Sequence, residues 1–201
     1  MPGEIIQSFT CPSPASVAIA FDGKYLWVTG ADTLLIYQVD IEGHIISTIP
    51  CPDAFPYGIV FDGKYLWVVA ADAGKLYQLD MDGGIVQVIL CAYPFPGGVG
   101  FDGRFLWVSN QDDYSLHQTD LSGKIIAVIP CPGSGVMGIG FDGVYLWVGV
   151  YGVNRFYQLD MDGGQIRFFS TPGSIPDGLA FDGKFMWHID RGAEMMYQLA
   201  V

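Results

Sequence analysis

The stretch Phe21-Asp22-Gly23-Lys24-Tyr25-Leu26-Trp27-Val28 recurs at Phe61–Val68, Phe101–Val108, Phe141–Val148 and Phe181–His188, 40 residues apart each time, with no insertion or deletion. Self-similarity at a period of this size signals a repeat architecture, in which one unit cannot bury its apolar faces alone. The repeats fall at 11–50, 51–90, 91–130, 131–170 and 171–201. The last stops at Tyr197-Gln198-Leu199-Ala200-Val201, where the others run on into a further segment. That segment stands at the head of the chain, where residues 1–10 match Gly43–Ile49 and Gly123–Ile129. The chain is therefore circularly permuted, and a single domain over 1–201 is expected, closed into a ring by its two ends. Closure removes the exposed sheet edges that are the usual hazard of β structure.

Each repeat reads as four short strands. The first is the apolar run before Phe-Asp-Gly, and Asp-Gly is a strong hairpin-turn signal. The second, Tyr-Leu-Trp-Val, is apolar on both faces, as a strand packed between two neighbours should be. The third surrounds Leu76-Tyr77-Gln78-Leu79, a second turn follows at Met81-Asp82-Gly83-Gly84, and the fourth is Ile85-Val86-Gln87-Val88-Ile89. No long stretch keeps helical periodicity. The expected fold is all-β: a five-bladed β-propeller of four-stranded blades, with the N-terminal strand completing the last blade. The five Trp share one repeat position and read as packing between blades. The Asp of each Phe-Asp-Gly reads as a turn residue.

Composition narrows the function classes. The chain is 51% hydrophobic, enough for a sizeable core, and carries a formal net charge of −12. Nucleic acid and anionic membranes attract basic patches, so neither is expected as a partner. No apolar run approaches the ~18 residues a spanning helix needs. Met1-Pro2-Gly3-Glu4 lacks the basic-then-apolar pattern of a secretory leader, which favours the cytoplasm. Cys11, Cys51, Cys91 and Cys131 are 40 residues apart and follow the outermost strand, far from the axis, so free and largely buried thiols are expected. Asp80-Met81-Asp82-Gly83 and Asp160-Met161-Asp162-Gly163 resemble the start of a calcium loop but lack its closing Glu, and read as turns. No metal or cofactor is expected, and a monomer is. His117 replaces the Tyr of the other repeats and reads as an aromatic exchange in packing.

The Pro-x-Gly-Ile/Leu-x-Phe-Asp-Gly pattern at Pro56–Gly63 and Pro176–Gly183, followed by Tyr-Gln-Leu-Asp, resembles bacterial short-repeat propellers related to NHL and YncE-type repeats. It is also similar to five-bladed proteins described as glutamine cyclotransferase-like. The Gly-His…Trp-Asp signature of WD40 repeats is absent, as is the Asp box of sialidases. The resemblance implies the fold; for activity, it implies an acidic proton shuttle near the central channel. Only Asp177 brings a carboxylate beside the small residues Ala18, Gly58, Gly98, Gly138 and Gly178 that begin the first strands.

A propeller has two faces. Here the Asp-Gly turns of one are nearly identical in every repeat, while the second-to-third loops and crossovers of the other differ in each. Loops on a rigid scaffold commonly carry binding. Candidate ligand-binding residues on the variable face are Asp177, His188, Asp190 and Arg191 in blade five, Asn110, Gln111 and Asp112 in blade three, and Tyr151 in blade four. A His, two carboxylates and an Arg suit a polar ligand or proton transfer. The expected function is non-catalytic binding of a small polar ligand, a glycan for example, or of a protein on that face. The alternatives are an enzyme of the cyclotransferase or lyase kind, and a scaffold with no ligand, recently amplified or engineered.

Overall fold

In a computed structural model describing residues 1–91, 93 and 95–201, the chain forms 20 strands and, among those residues, no helix. After β1 (Ile5–Thr10), blade one is β2 (Ser16–Phe21), β3 (Leu26–Gly30), β4 (Leu35–Val39) and β5 (Ile45–Pro50). Blade two is β6 (Pro56–Phe61), β7 (Leu66–Ala70), β8 (Lys75–Leu79) and β9 (Ile85–Leu90). Blade three is β10 (Pro96–Phe101), β11 (Leu106–Asn110), β12 (Ser115–Thr119) and β13 (Ile125–Pro130). Blade four is β14 (Val136–Phe141), β15 (Leu146–Val150), β16 (Arg155–Leu159) and β17 (Gln165–Ser170). Blade five takes β18 (Pro176–Phe181), β19 (Met186–Asp190) and β20 (Met195–Leu199), and β1 is its outermost strand. This is the five-bladed propeller that the repeat implies, closed by the N-terminal strand.

The second strands are buried along their whole length. Their Trp residues face the next blade: Trp27 packs with Ile59 and Leu66, and Trp107 with Ile139 and Leu146. Each indole N–H also donates to the turn Asp of its own blade at 2.7–2.8 Å. The other oxygen of that Asp accepts two turn amides, as Asp22 does from Lys24 and Tyr25. So the Asp and the Trp of the repeated stretch form one device. The carboxylate shapes the hairpin and satisfies the one polar atom of an otherwise buried ring.

The first strands converge on the axis, where strands of non-adjacent blades still approach within 8 Å. A Cβ on Gly58 would lie 2.7 Å from the Val99 amide nitrogen of the next blade, and one on Gly178 would lie 2.7 Å from that of Ile19. Glycine at this position lets the innermost backbones touch. At the conserved-turn end, the axis widens into a cavity of about 100 Å³ lined by Phe21, Phe61, Phe101, Phe141 and Phe181. That is too small for an ordinary metabolite, whose pockets run to several hundred Å³.

The variable face repeats in its backbone what it varies in its side chains. The second strand runs two residues further than the sequence suggests, because Gly30↔Leu35 and its equivalents pair across a four-residue turn. Asn110 and Asp190 are therefore strand-end residues and not loop residues. In all five blades the next amide donates to the crossover carbonyl, from Ala31 to Ala15 through to Arg191 to Ile175. These bonds are main-chain to main-chain, so they tolerate any side chain. Among the described residues the cysteines are free; Cys11 is buried and the other three are half-buried.

Candidate functional site

The repeats provide an internal control for what the fold itself requires. At the second residue of the first strand the five blades carry Val17, Tyr57, Gly97, Met137 and Asp177. One turn further along, beside them, stand Ala31, Ala71, Gln111, Tyr151 and Arg191. Gln111 and Arg191 fold back over the innermost strand, Gln111 donating to the Val136 carbonyl of the next blade and Arg191 reaching Asp177. These two sets of residues lie at the variable-face end of the innermost strands, the end termed the mouth of the axis.

Asp177 is 1% exposed. Its Oδ2 lies 2.9 Å from Arg191 Nε, but the geometry is that of an ion pair without a hydrogen bond, and neither carboxylate oxygen accepts one from the described residues. Burial pushes the carboxyl up to about 7; Arg191 pulls it down and Asp190 adds to the rise. Arg191 is about a third exposed and lies over it toward solvent.

Asp190 is fully buried and structurally engaged. Its Oδ2 accepts the Ile175 amide at 3.2 Å and its Oδ1 the Ala193 amide at 2.9 Å, tying the crossover to the second-to-third turn. His188 is also fully buried, where the other blades carry Val. Its Nδ1 lies 3.3 Å from the Gly178 carbonyl, its ring stands edge-on to Phe156 of blade four, and Nε2 has no partner among the described residues. Burial pushes it down to about 4, against the Gly178 carbonyl. The neutral imidazole packs between Phe156 and Tyr197, two residues before Asp190 on the same strand.

The remaining candidates are dispersed. Asn110 is buried and its Oδ1 accepts the Asp112 amide at 3.0 Å, while Asp112 itself is exposed. Tyr151 is 52% exposed on the turn of blade four, free to meet a ligand. The structure thus brings Asp177 and Arg191 together, sets Asp190 and His188 behind them, and leaves blades three and four to supply Gln111 and Tyr151 at the rim. His117 packs against Tyr93 at 4.4 Å, and its Nε2 also meets Ser115 Oγ at 2.8 Å.

Other reactive chemistry is scarce. Burial pushes the thiols of Cys11 and Cys131 up to about 12 and those of Cys51 and Cys91 up to about 11, so none is a ready nucleophile. Among the described residues no group of three or more His, Cys, Asp or Glu is placed to hold a metal ion.

Asp177 and His188 act on stability with opposite sign, and His117, pushed down by burial, acts in the same sense as His188. The folded value of Asp177 lies above the ordinary carboxyl value of about 3.9, so its contribution falls as pH rises from about 4 to about 7. His188 lies below the ordinary imidazole value of about 6.5, so its contribution falls as pH drops from about 6.5 to about 4. Between those limits the slopes oppose each other. Carboxyls held down, such as Asp53 beside Tyr77, matter only below that window. Urea midpoints of Asp177→Asn should therefore climb with pH from about 4 to about 6.5, and those of His188→Val should fall over the same range. Parallel pH profiles for the two variants would contradict the burial of both groups.

No protein-family model matches the chain, and no curated protein does. Solved structures do. A glutaminyl cyclase from Myxococcus xanthus superposes with a TM-score of 0.82 at 11% identity, over 98% of this chain and 94% of that one. Virginiamycin B lyase from Staphylococcus aureus gives 0.60 at 16% identity, over 97% and 98%. The Cps50 (Swd1) β-propeller domain of Myceliophteria thermophila gives 0.63 at 11% identity, over the full length of both chains. Identities this low establish the shared propeller fold and nothing finer.

Proposed function

We propose that this propeller is a non-catalytic binding module that takes a small polar ligand at the variable-face mouth of its axis, with Arg191 as the outward contact and Asp177 as the buried one. The observation that carries this reading is the unsatisfied carboxylate of Asp177 beneath Arg191. Buried polar groups normally find partners, and a poorly bonded buried ion pair is commonly less stable than apolar residues of the same size. Four blades fill the same place with Val17, Tyr57, Gly97 and Met137, so the fold has no need of the charge. Gln111 and Tyr151 add amide and phenol groups at the rim, chemistry suited to a metabolite or the end of a glycan. A protein that inserts a polar side chain would use the same contacts.

The test is a thermal-shift panel of sugars, small acids, metabolites and peptides on the wild type, Arg191→Ala and Asp177→Val. A ligand at 100 times its Kd adds about 2.7 kcal/mol, a visible rise in Tm. The shift should vanish in both variants. A shift that survives both would put the site elsewhere, and no shift with any compound would favour a scaffold.

A second reading is an enzyme of the cyclase or lyase kind. It is favoured by one observation: burial brings Asp177 to about 7, where a carboxyl can both give and take a proton at working pH. It requires turnover, such as ammonia release from a glutaminyl peptide, that Asp177→Asn abolishes. Wild-type protein with no turnover of such peptides would remove the cyclase form of this reading.

A further inference from the structure

A ligand approaching the mouth from solvent meets Arg191 first, because Asp177 lies almost wholly beneath it. Arg191 turns its Nε toward Asp177, and its side chain makes no hydrogen bond among the described residues. The Nη donors of a guanidinium form a planar fork that matches two oxygens of one carboxylate. The Nη donors of this one-third-exposed side chain are available to an oxyanion.

The groups behind it restrict what kind of oxyanion can bind. Asp177 and Asp190 already place two carboxylates below the guanidinium, and the imidazole of His188 is neutral at physiological pH. Asp190 is held by the amides of Ile175 and Ala193 and cannot swing away. A third negative charge here would be repelled, and the repulsion is relieved if Asp177 takes a proton from solvent. Protonation removes the charge beneath the guanidinium, so that the whole attraction of Arg191 is left to the incoming carboxylate. A phosphate dianion brings twice the charge of a monocarboxylate and so meets the greater repulsion from Asp177 and Asp190.

We propose that the mouth takes a small monocarboxylate, seated on the Arg191 fork, and that its binding is coupled to the uptake of one proton by Asp177. This rests on the binding reading above and adds the ligand class and the linkage.

Calorimetric titration with acetate at pH 8, in two buffers of different ionisation enthalpy, tests it. The wild type should bind acetate with uptake approaching one proton, and affinity should fall about tenfold per pH unit above 8. Asp177→Asn, a neutral mimic of the protonated form, should bind acetate at least as tightly, with no proton uptake and a flat profile from pH 7 to pH 9. Arg191→Gln should not bind it. Acetate binding without proton uptake in the wild type would overturn the linkage. Tighter binding of inorganic phosphate than of acetate would overturn the ligand class, as would failure of acetate alongside an Arg191-dependent shift from a neutral compound. Acetate binding that persists in Arg191→Gln would overturn the location, and with it the underlying reading.

Discussion

A chain lacking residues 1–10 should fail to form the cooperative fold. Those residues supply β1, which pairs with β20 from Ile5↔Leu199 to Thr10↔Met195 and is the outermost strand of blade five. The break between the chain ends falls inside a turn, and the closure rebuilds that turn. Gly3 N donates to the Ala200 carbonyl and Ala200 N to that of Glu4, as Gly43 N does to Asp40 and Asp40 N to His44 in blade one. Phe9 stacks on Trp187 with ring centroids 6.4 Å apart. Losing the half-buried Phe9 costs part of the ~3–5 kcal/mol of a fully buried aromatic, and each lost backbone bond about 1 kcal/mol more. The sum exceeds about 5 kcal/mol, on the scale of the whole stability of a domain. Tryptophan fluorescence during urea unfolding should show a broad, early transition, and a peptide of residues 1–10 added in trans should restore the sharp one. An unchanged midpoint in the truncated chain would show that the ring does not depend on its closure.

Gly98→Val should cost at least about 3 kcal/mol, at the upper end for overpacking. Valine is the better strand former, so local propensity predicts the opposite sign. A Cβ here would collide with the Met137 carbonyl oxygen of the next blade, and that atom is backbone, which cannot rotate away. Either the innermost strands separate or the residue does not fit. Gly138 faces the Asp177 carbonyl in the same manner. The change should lower the urea midpoint steeply, whereas Ala18→Gly at the equivalent place in blade one should cost only about 0.5–1 kcal/mol. Equal effects would mean that the axis is looser than these contacts require.

What could be read from residues alone divides along a physical line. The Phe-Asp-Gly turns, the Trp position and the missing tail supplied by residues 1–10 encode strand number, blade number and closure, because turn chemistry and burial period are local properties. The bond from each Trp to its turn Asp was not visible, since five residues apart in a hairpin gives no hint of which rotamer the indole takes. Nor was the common backbone of the variable face, because main-chain bonds such as Cys51 N to the Leu34 carbonyl and Thr171 N to that of Asn154 leave no mark on side-chain identity.

The candidate site was legible in its members but not in their depth. Asp177, His188, Asp190 and Arg191 stand out because they break the repeat. Which of them meet solvent depends on where each points relative to neighbouring blades. His188 turns into blade four against Phe156, Asp190 turns down to cap two amides, and Arg191 alone keeps a solvent-facing edge. Those directions arise from packing between elements far apart in the chain, and no single repeat encodes them.

The measurement that bears most directly on this account is the titration of the Asp177 side-chain carboxyl, followed by its carbon chemical shift in isotopically labelled protein from pH 3 to pH 9. Burial beneath Arg191 predicts a midpoint near 7 in the wild type, moving higher in Arg191→Gln as the opposing cation is removed. A midpoint near the ordinary carboxyl value of about 3.9 in both proteins would mean that the group is solvated, and the mouth of the axis would lose its claim to be a site.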